Sequence, residues 1–230
     1  MSRSLVIGIL FVVCLLVVAA GCTSQQATKT VVTPTVTIAL PDSNATQKTY
    51  LSLEKAPLND TEIADIIYLQ EAGKLEYDLN TALATQHPDT TVFRNIANAS
   101  KIYMTADNVI LDRYGITNPE HNEPGVFTNQ KLQKMYTTGV NNGLISVTQA
   151  LITSATFEDM HIADLEAAIK RTDNNDLIFI YQQELAASRN NIRALSQWIT
   201  AYGGTYTPTY ISQDYYNQII STPLEQIPLK

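Results

Sequence analysis

Glu158 and His161 lie three residues apart in TFEDMHIADLEAAI, residues 156–169, a segment with the periodicity of an amphipathic helix. Side chains three residues apart project from the same face of a helix. In helical bundles, an inward-facing Glu-x-x-His pair is half of the ligand set of a di-iron or di-manganese carboxylate site. The pair therefore predicts a metal site, provided that a facing helix supplies the other half.

A second carboxylate interrupts the apolar stripe of an earlier segment, where Glu71 follows Ile63 and Ile67 at helical spacing. A buried carboxylate must be paired, protonated or metal-bound, because an unpaired charge is costly in the protein interior. We therefore predict that Glu71, Glu158 and His161 are metal ligands. Further candidate ligands, if their faces point inward, are Asp107, Glu184 and Asp78.

Glu71 has an alternative interpretation as one partner of a buried ion pair. Its candidate partners are Lys74, Lys101 and Arg189, and Lys74 has the favourable i+3 spacing. If a metal is bound instead, a Glu/Glu/His set suits one Zn²⁺ or Mn²⁺ ion, and iron is the third candidate. The residues alone assign no cofactor.

The elements that must position these side chains are helices. Apolar residues recur at helical spacing throughout residues 53–223, and glycine and proline occur only between the periodic segments. The sequence predicts an all-α fold, a four-helix bundle with an extra short helix between the second and third long helices. The predicted helices cover about 59–85, 90–114, 130–141, 146–169, 176–201 and 213–220, with caps at Asn59 or Asp60, Gly115 and Ser146.

Three segments resemble a ferritin-like family, domain of unknown function 2202. They are GVFTNQKLQKMY, IADLEAAIKRTDNNDLIFIYQQELAASRNNIRAL and AYGGTYTPTYIS. The resemblance covers about residues 58–212, nearly all of the predicted helical domain. It implies a ferritin- or rubrerythrin-like bundle with Glu and His ligands on facing helices, and it implies no particular activity.

The resemblance is incomplete at the positions that would hold metal. YLQEAGKLEYDL places Glu71 at the expected ligand position, and Glu158 also matches, with His161 where Asp is frequent. NIANASKIYM and SRNN depart from the pattern. There, Ser100 stands where the family has Glu, and Tyr103 and Asn191 stand where it has His. These three positions are degenerate, since their side chains are neutral.

These replacements favour one of two functions. Ser100 and Asn191 are poor ligands for a dimetal site, which needs several carboxylates to balance its charge. Tyr103 is interpreted as a plug whose hydroxyl binds a remaining carboxylate, or alternatively as a redox-active tyrosine beside a metal. We therefore favour a structural or binding module with a degenerate dimetal site. The alternative is a metal-binding oxidoreductase, or an iron- or peroxide-handling protein, that uses the reduced Glu/Glu/His site.

The N-terminal segment predicts export and attachment to a membrane. Residues 1–21 contain Arg3, an apolar run and small residues, as a secretory signal does. VVAAGC resembles a lipobox, with Ala19 where Leu is commoner, and predicts lipidation of Cys22 on the extracytoplasmic face of the cell membrane. An uncleaved transmembrane anchor is the alternative. Residues 22–52 are predicted to be an extended tether rich in Thr, Ser and Pro, and residues 224–230 a tail.

Composition excludes several classes of function. Both cysteines, Cys14 and Cys22, lie at the N-terminal signal, which excludes disulfides, cysteine-ligated zinc and thiol catalysis in the helical domain. The net charge is −7, and the 22 acidic residues with no basic run argue against nucleic acid as a partner. Bundles of this kind often form homodimers, and the sequence identifies no other protein partner.

Overall fold

The computed structural model describes residues 34, 43–119 and 121–226. These residues form α-helices and contain no strand, which confirms the all-α prediction. In chain order the helices are α1 (Ser43–Ser52), α2 (Asp60–Gln86), α3 (Thr91–Tyr114), α4 (Gln130–Gly143), α5 (Val147–Ile169), α6 (Asn175–Ala201) and α7 (Gln213–Ser221).

The helix ends follow from local chemistry. The Asn59 side chain accepts hydrogen bonds from the first turn of α2, and Glu62 completes the capping box. Gly115 ends α3 in the left-handed region, with φ of 66°, a conformation that glycine adopts without a side-chain clash. Ser146 caps α5 through the backbone N–H of Gln149. These three capping residues were predicted from the sequence, and the helices begin or end beside them in the structure.

The four long helices pack as a bundle around one interior. α2 packs along α3 and α5 packs along α6, while contacts of α2 with α5 and of α3 with α6 close the bundle. The short helix α4 packs against both α2 and α5, in the position of the predicted extra helix. Four residues, 87–90, join α2 to α3, so these two helices run antiparallel.

The core consists of two apolar clusters with a polar layer between them. Along α3, for example, Phe93 and Ile96 belong to one cluster and Ile110 to the other. The stretch between them carries Ser100 and Asp107, both buried. Each of the other three long helices also carries a buried carboxyl group, Glu76 on α2, Glu158 on α5 and Glu184 on α6.

Two predicted boundaries differ from the structure. Residues 43–52, predicted to be part of an extended tether, form helix α1, because Tyr50 is buried in the second apolar cluster and Arg113 lies over its ring. Glu225, predicted to lie in the tail, forms ion pairs with Arg189 and Arg193 of α6. The helical domain therefore begins earlier and ends later than its hydrophobic pattern indicates.

The predicted signal, Cys22 and most of the predicted tether lie outside the described residues. Within the described ranges, no helix is long and apolar enough to cross a membrane.

Candidate functional site: a buried layer of carboxyl groups

Glu76 of α2 and Glu158 of α5 face each other in the polar layer. Their side chains are buried, with exposed fractions of 6% and 0%, and their carboxyl groups are in contact. Asn191 of α6 donates from Nδ2 to Glu76 Oε1 at 2.9 Å and to Glu158 Oε1 at 3.2 Å. One amide from the facing helix therefore bridges both acids.

Burial shifts the titration of both carboxyl groups upward. Burial raises the pKa of Glu76 to about 7, against the opposing effect of hydrogen bonds from Glu158, Ser100 and Asn191. Burial also raises the pKa of Glu158 well above its usual range, and the charge and hydrogen bond of Glu76 raise it further. Two carboxylates in contact cannot both be ionised without a large repulsion, so the two groups titrate as one coupled unit.

Asp107 of α3 and Glu184 of α6 form a second acid pair. Burial raises the pKa of Glu184 well above its usual range, and the neighbouring Asp107 raises it further through its charge and a hydrogen bond. The pair borders a small cavity of about 10 Å³, which Tyr181 also lines. The two pairs together place four carboxyl groups in one buried layer, one from each long helix.

His161 lies beside the second pair as a neutral imidazole. Its Nε2 is 3.7 Å from Glu184 Oε2, and its ring stacks on Phe157 with centroids 5.4 Å apart. Burial lowers the pKa of His161 to about 4. At neutral pH the contact with Glu184 is therefore not an ion pair.

Tyr103 occupies the space between the two acid pairs. The carboxyl groups of Glu184, Glu76 and Asp107 add to the effect of burial in raising the pKa of its phenol. Its hydroxyl makes no hydrogen bond within the part of the chain that the structure describes. Tyr103 thus fills volume as a plug does, but the predicted hydrogen bond from its hydroxyl to a carboxylate is not formed.

Two of the predicted ligands lie on another side of α2. Glu71 accepts hydrogen bonds from the backbone N–H groups of Thr128 and Asn129, the latter at 3.0 Å. Asp78 accepts from the Gly125 N–H at 2.8 Å and from Lys74 Nζ at 2.5 Å. Both acids therefore hold the segment before α4, and neither is grouped with Glu158.

The ion pairs predicted as the alternative role of Glu71 are not formed in the described structure. Lys74 binds Asp78, and Arg189 binds Glu225. Hydrogen bonds from the backbone N–H groups of Thr128 and Asn129 compensate the burial of the Glu71 carboxylate instead.

The sequence interpretation did not propose Glu76 or Ser188 as ligand positions. YLQEAGKLEYDL contains Glu71 and Glu76, and the apolar stripe through Ile63 and Ile67 favoured the first. The spacing of Glu76 from other apolar residues of the same helix was a better indication of the buried face. Glu76 is spaced at helical intervals from four buried residues of α2: Leu69, Ala72, Leu79 and Leu83. Ser188 of α6 hydrogen-bonds to Glu158 and could have been found from its i, i+3 spacing to Asn191.

The predicted ligands are thus divided between sites. Four of them lie in the polar layer: Glu158, His161, Asp107 and Glu184. Glu71 and Asp78 lie outside it and bind the segment before α4. Among the side chains that the structure describes, no group of three or more His, Asp or Glu residues is arranged to hold a metal ion. The ligand roles assigned from the sequence stay predictions.

Comparison with known proteins identifies the family. The domain described as "Uncharacterized protein domain (DUF2202)" matches residues 62–223. The chain belongs to the DUF2202 family. This confirms the membership that its sequence segments predicted. The matched residues run from the first turn of α2 to just beyond α7, so DUF2202 includes every helix that contributes to the polar layer.

One relative is similar to this chain in sequence and in structure. The chain is 38% identical over 176 residues to the uncharacterized protein MJ0754 of Methanocaldococcus jannaschii, which covers 76% of this chain and 95% of the relative. The crystal structure of the hypothetical protein MJ0754 from Methanococcus jannaschii superposes with a TM-score of 0.73 and is covered to 99% by the match. Nearly all of that crystallised chain is thus matched by about three quarters of this one.

Proposed function

We propose that this DUF2202 protein is a ferritin-like module in which acid pairs have replaced a dimetal centre. Its role is structural or binding, on the extracytoplasmic face of the cell membrane. One observation carries this proposal. A ferritin-like dimetal site takes one Glu from each of two helices and a Glu-x-x-His motif from each of the other two. Here α2 and α5 each supply a Glu, but α3 supplies Ser100 and Tyr103, and α6 supplies Ser188 and Asn191.

The chemistry of the remaining side chains supports a centre without metal charge. Four of the six positions in this pattern are neutral, which leaves only Glu76 and Glu158 as anionic donors. Burial raises the pKa of both, which favours their protonated forms over the ionised forms that a metal needs. Asn191 directs N–H groups toward them, whereas a metal ligand must direct a lone pair. Hydrogen bonds among four helices thus take the place of metal coordination.

A metal-handling oxidoreductase is the second candidate, and the position of Glu184 favours it. Its carboxyl group contacts Asp107 and lies 3.7 Å from His161 Nε2. Carboxylate oxygens and an imidazole nitrogen are donor types that Zn²⁺ and Mn²⁺ bind. Because these three side chains are not arranged as a metal site in the described structure, metal binding would require them to move together.

Metal content separates the two candidates. Residues 43–230, without a histidine tag, would be incubated anaerobically with Fe²⁺, Mn²⁺ or Zn²⁺, desalted and measured by mass spectrometry. We expect metal at background level and an unchanged melting temperature. About one metal per chain, lost in Glu184→Gln but kept in the exposed control Glu54→Gln, would establish the second candidate instead.

The location is tested separately. In a prokaryotic host, the full chain should enter the detergent phase on phase separation, and Cys22→Ala should abolish lipid labelling and retain the precursor mass. An unlabelled wild-type chain that keeps its N-terminal segment would show that residues 1–21 act as an uncleaved anchor. A wild-type chain in the aqueous phase would contradict attachment altogether.

A further inference from the structure

A groove between α4 and α5 lies on the outside of the bundle, apart from the polar layer. Its volume is about 510 Å³, within the range of small-molecule sites. The side chains that α4 contributes lie on one stripe from Lys131 to Asn142. Eleven residues of helix make this stripe about 16 Å long. The groove is thus long and narrow rather than round.

The two ends of the groove differ in charge. Lys131 and Lys134, both exposed, mark the end near the start of α4, and Tyr210 lies there as well. Lys131 Nζ is 3.6 Å from Asp164, whereas Lys134 forms no ion pair in the described part of the chain. The opposite end carries the neutral amides of Asn142 and Gln149. In a chain of net charge −7, this end is a local excess of positive charge.

The middle of the groove is apolar. Met135 of α4 and Ile152 of α5 face it, both only partly buried by the protein itself. Gly139 forms part of the wall between them, and a Cβ there would come within 2.9 Å of Leu79 and of Thr153. Glycine therefore lets α4 approach the bundle closely and leaves the groove open above it.

We propose that this groove binds a single-chain fatty acid. The carboxylate lies against Lys131 and Lys134, and the alkyl chain runs along Met135, Gly139 and Ile152 toward Asn142. Charge complementarity favours this occupant, because a lysine without a carboxylate partner stands where the apolar wall begins. An ammonium group binds a carboxylate through charge-assisted hydrogen bonds, and an alkyl chain gains by leaving water. The proposal is independent of whether the polar layer binds metal.

The neighbouring threonines of α4 provide a matched pair of variants. Thr138 lines the groove and Thr137 does not, and both side chains are exposed. Thr138→Trp would fill the groove, while Thr137→Trp adds the same bulk one position away. For the charged end, Lys131→Gln/Lys134→Gln is compared with Lys101→Gln/Lys170→Gln. Unchanged melting temperatures would show that all variants fold.

The binding test uses residues 43–230, palmitate as the probe and equilibrium dialysis. Hexadecanol serves as the neutral probe of equal chain length. We expect about one palmitate per chain, with affinity at least fivefold weaker in Thr138→Trp and in the Lys131/Lys134 variant and unchanged in both controls. Hexadecanol should bind at least fivefold more weakly than palmitate.

Three outcomes would overturn the proposal. Absence of saturable palmitate binding would do so. Equal binding of palmitate by Thr138→Trp and Thr137→Trp would place the ligand elsewhere. A dimer in sedimentation that Thr138→Trp dissociates, without palmitate binding in the wild type, would show that a second copy of the chain covers the groove.

Discussion

Glu158 and Asp159 are neighbours on α5, and both are fully buried, but they have opposite surroundings. Asp159 accepts hydrogen bonds from the backbone N–H groups of Thr209, Tyr210 and Ile211, which hold the segment before α7. Glu158 faces the carboxyl group of Glu76 and one amide. The comparison shows that buried acids in this bundle are of two kinds, those that fasten a loop and those that share protons.

Glu71 and Asp78 are of the first kind, since backbone N–H groups of the segment before α4 bind them. Hydrogen bonds to a carboxylate stabilise its charged form, whereas burial without donors favours the protonated form. The two kinds should therefore respond differently to loss of the carboxyl group.

Among the substitutions of buried acids, the largest effect is expected of Asp159→Asn. The amide cannot accept from three backbone N–H groups and turns its own N–H toward them, so the free energy of unfolding should fall by about 2–4 kcal/mol. Urea denaturation at pH 7 measures this. Glu158→Gln is the matched control and should cost less than about 1 kcal/mol. Equal losses in the two variants would remove the distinction between the two kinds of acid.

Glu158→Gln should instead change the dependence of stability on pH. The folded pKa of Glu158 lies above its unfolded value, so the folded state binds more protons between the two. Burial also raises the folded pKa of its partner Glu76 to about 7. The wild-type protein therefore loses stability as pH rises above the unfolded pKa of the two groups. Relative to wild type, Glu158→Gln should gain roughly 1–2 kcal/mol between pH 5 and pH 8.

His161 contributes with the opposite sign, because its folded pKa is lowered to about 4. Its contribution to stability is lost as pH falls from 6.5 toward 4, and this loss is common to wild type and Glu158→Gln. The difference between their urea curves at each pH thus isolates the acid pair. A difference that does not vary with pH would show that Glu158 is ionised in the folded protein.

A smaller and local effect is expected of Glu71→Gln. One carboxylate oxygen becomes an amide nitrogen, so the N–H groups of Thr128 and Asn129 lose part of their acceptor. The free energy of unfolding should fall by about 1 kcal/mol, and amide exchange should accelerate at these two residues. Unaltered exchange there, with faster exchange at Asn191, would place Glu71 in the polar layer after all.

The smallest effect is expected of Tyr103→Phe. The Tyr103 hydroxyl is buried and makes no hydrogen bond in the described structure, so its removal should change stability by less than about 1 kcal/mol, toward higher stability. A loss of more than 2 kcal/mol on thermal or urea unfolding would instead assign the hydroxyl a bond to one of the carboxyl groups. Tyr103→Ala, which leaves a cavity, should cost about 3–5 kcal/mol and shows that the assay detects loss of the plug.

Local signals in the sequence were enough to predict the four long helices and their ends. Asn59, Gly115 and Ser146 act within one or two turns, so their effect does not depend on the rest of the fold. Apolar periodicity is likewise local, which is why the all-α fold could be predicted. The neutral residues at Ser100, Tyr103 and Asn191 could also be identified from the sequence, by comparison with the family's segments.

Which of the buried acids contact each other depends on the tertiary structure. Glu71 and Glu76 are five residues apart, a rotation of roughly 140° around the helix, so a small error in choosing the buried face exchanges one for the other. α2 is buried on several sides, by α3, α4 and α5, and its apolar pattern does not single out one face. The sequence did not place Tyr50 and Glu225 in the helical domain for a similar reason. Their partners on α3 and α6 are distant in sequence. Periodicity shows that a side chain faces inward, but which side chain lies opposite depends on how the helices pack.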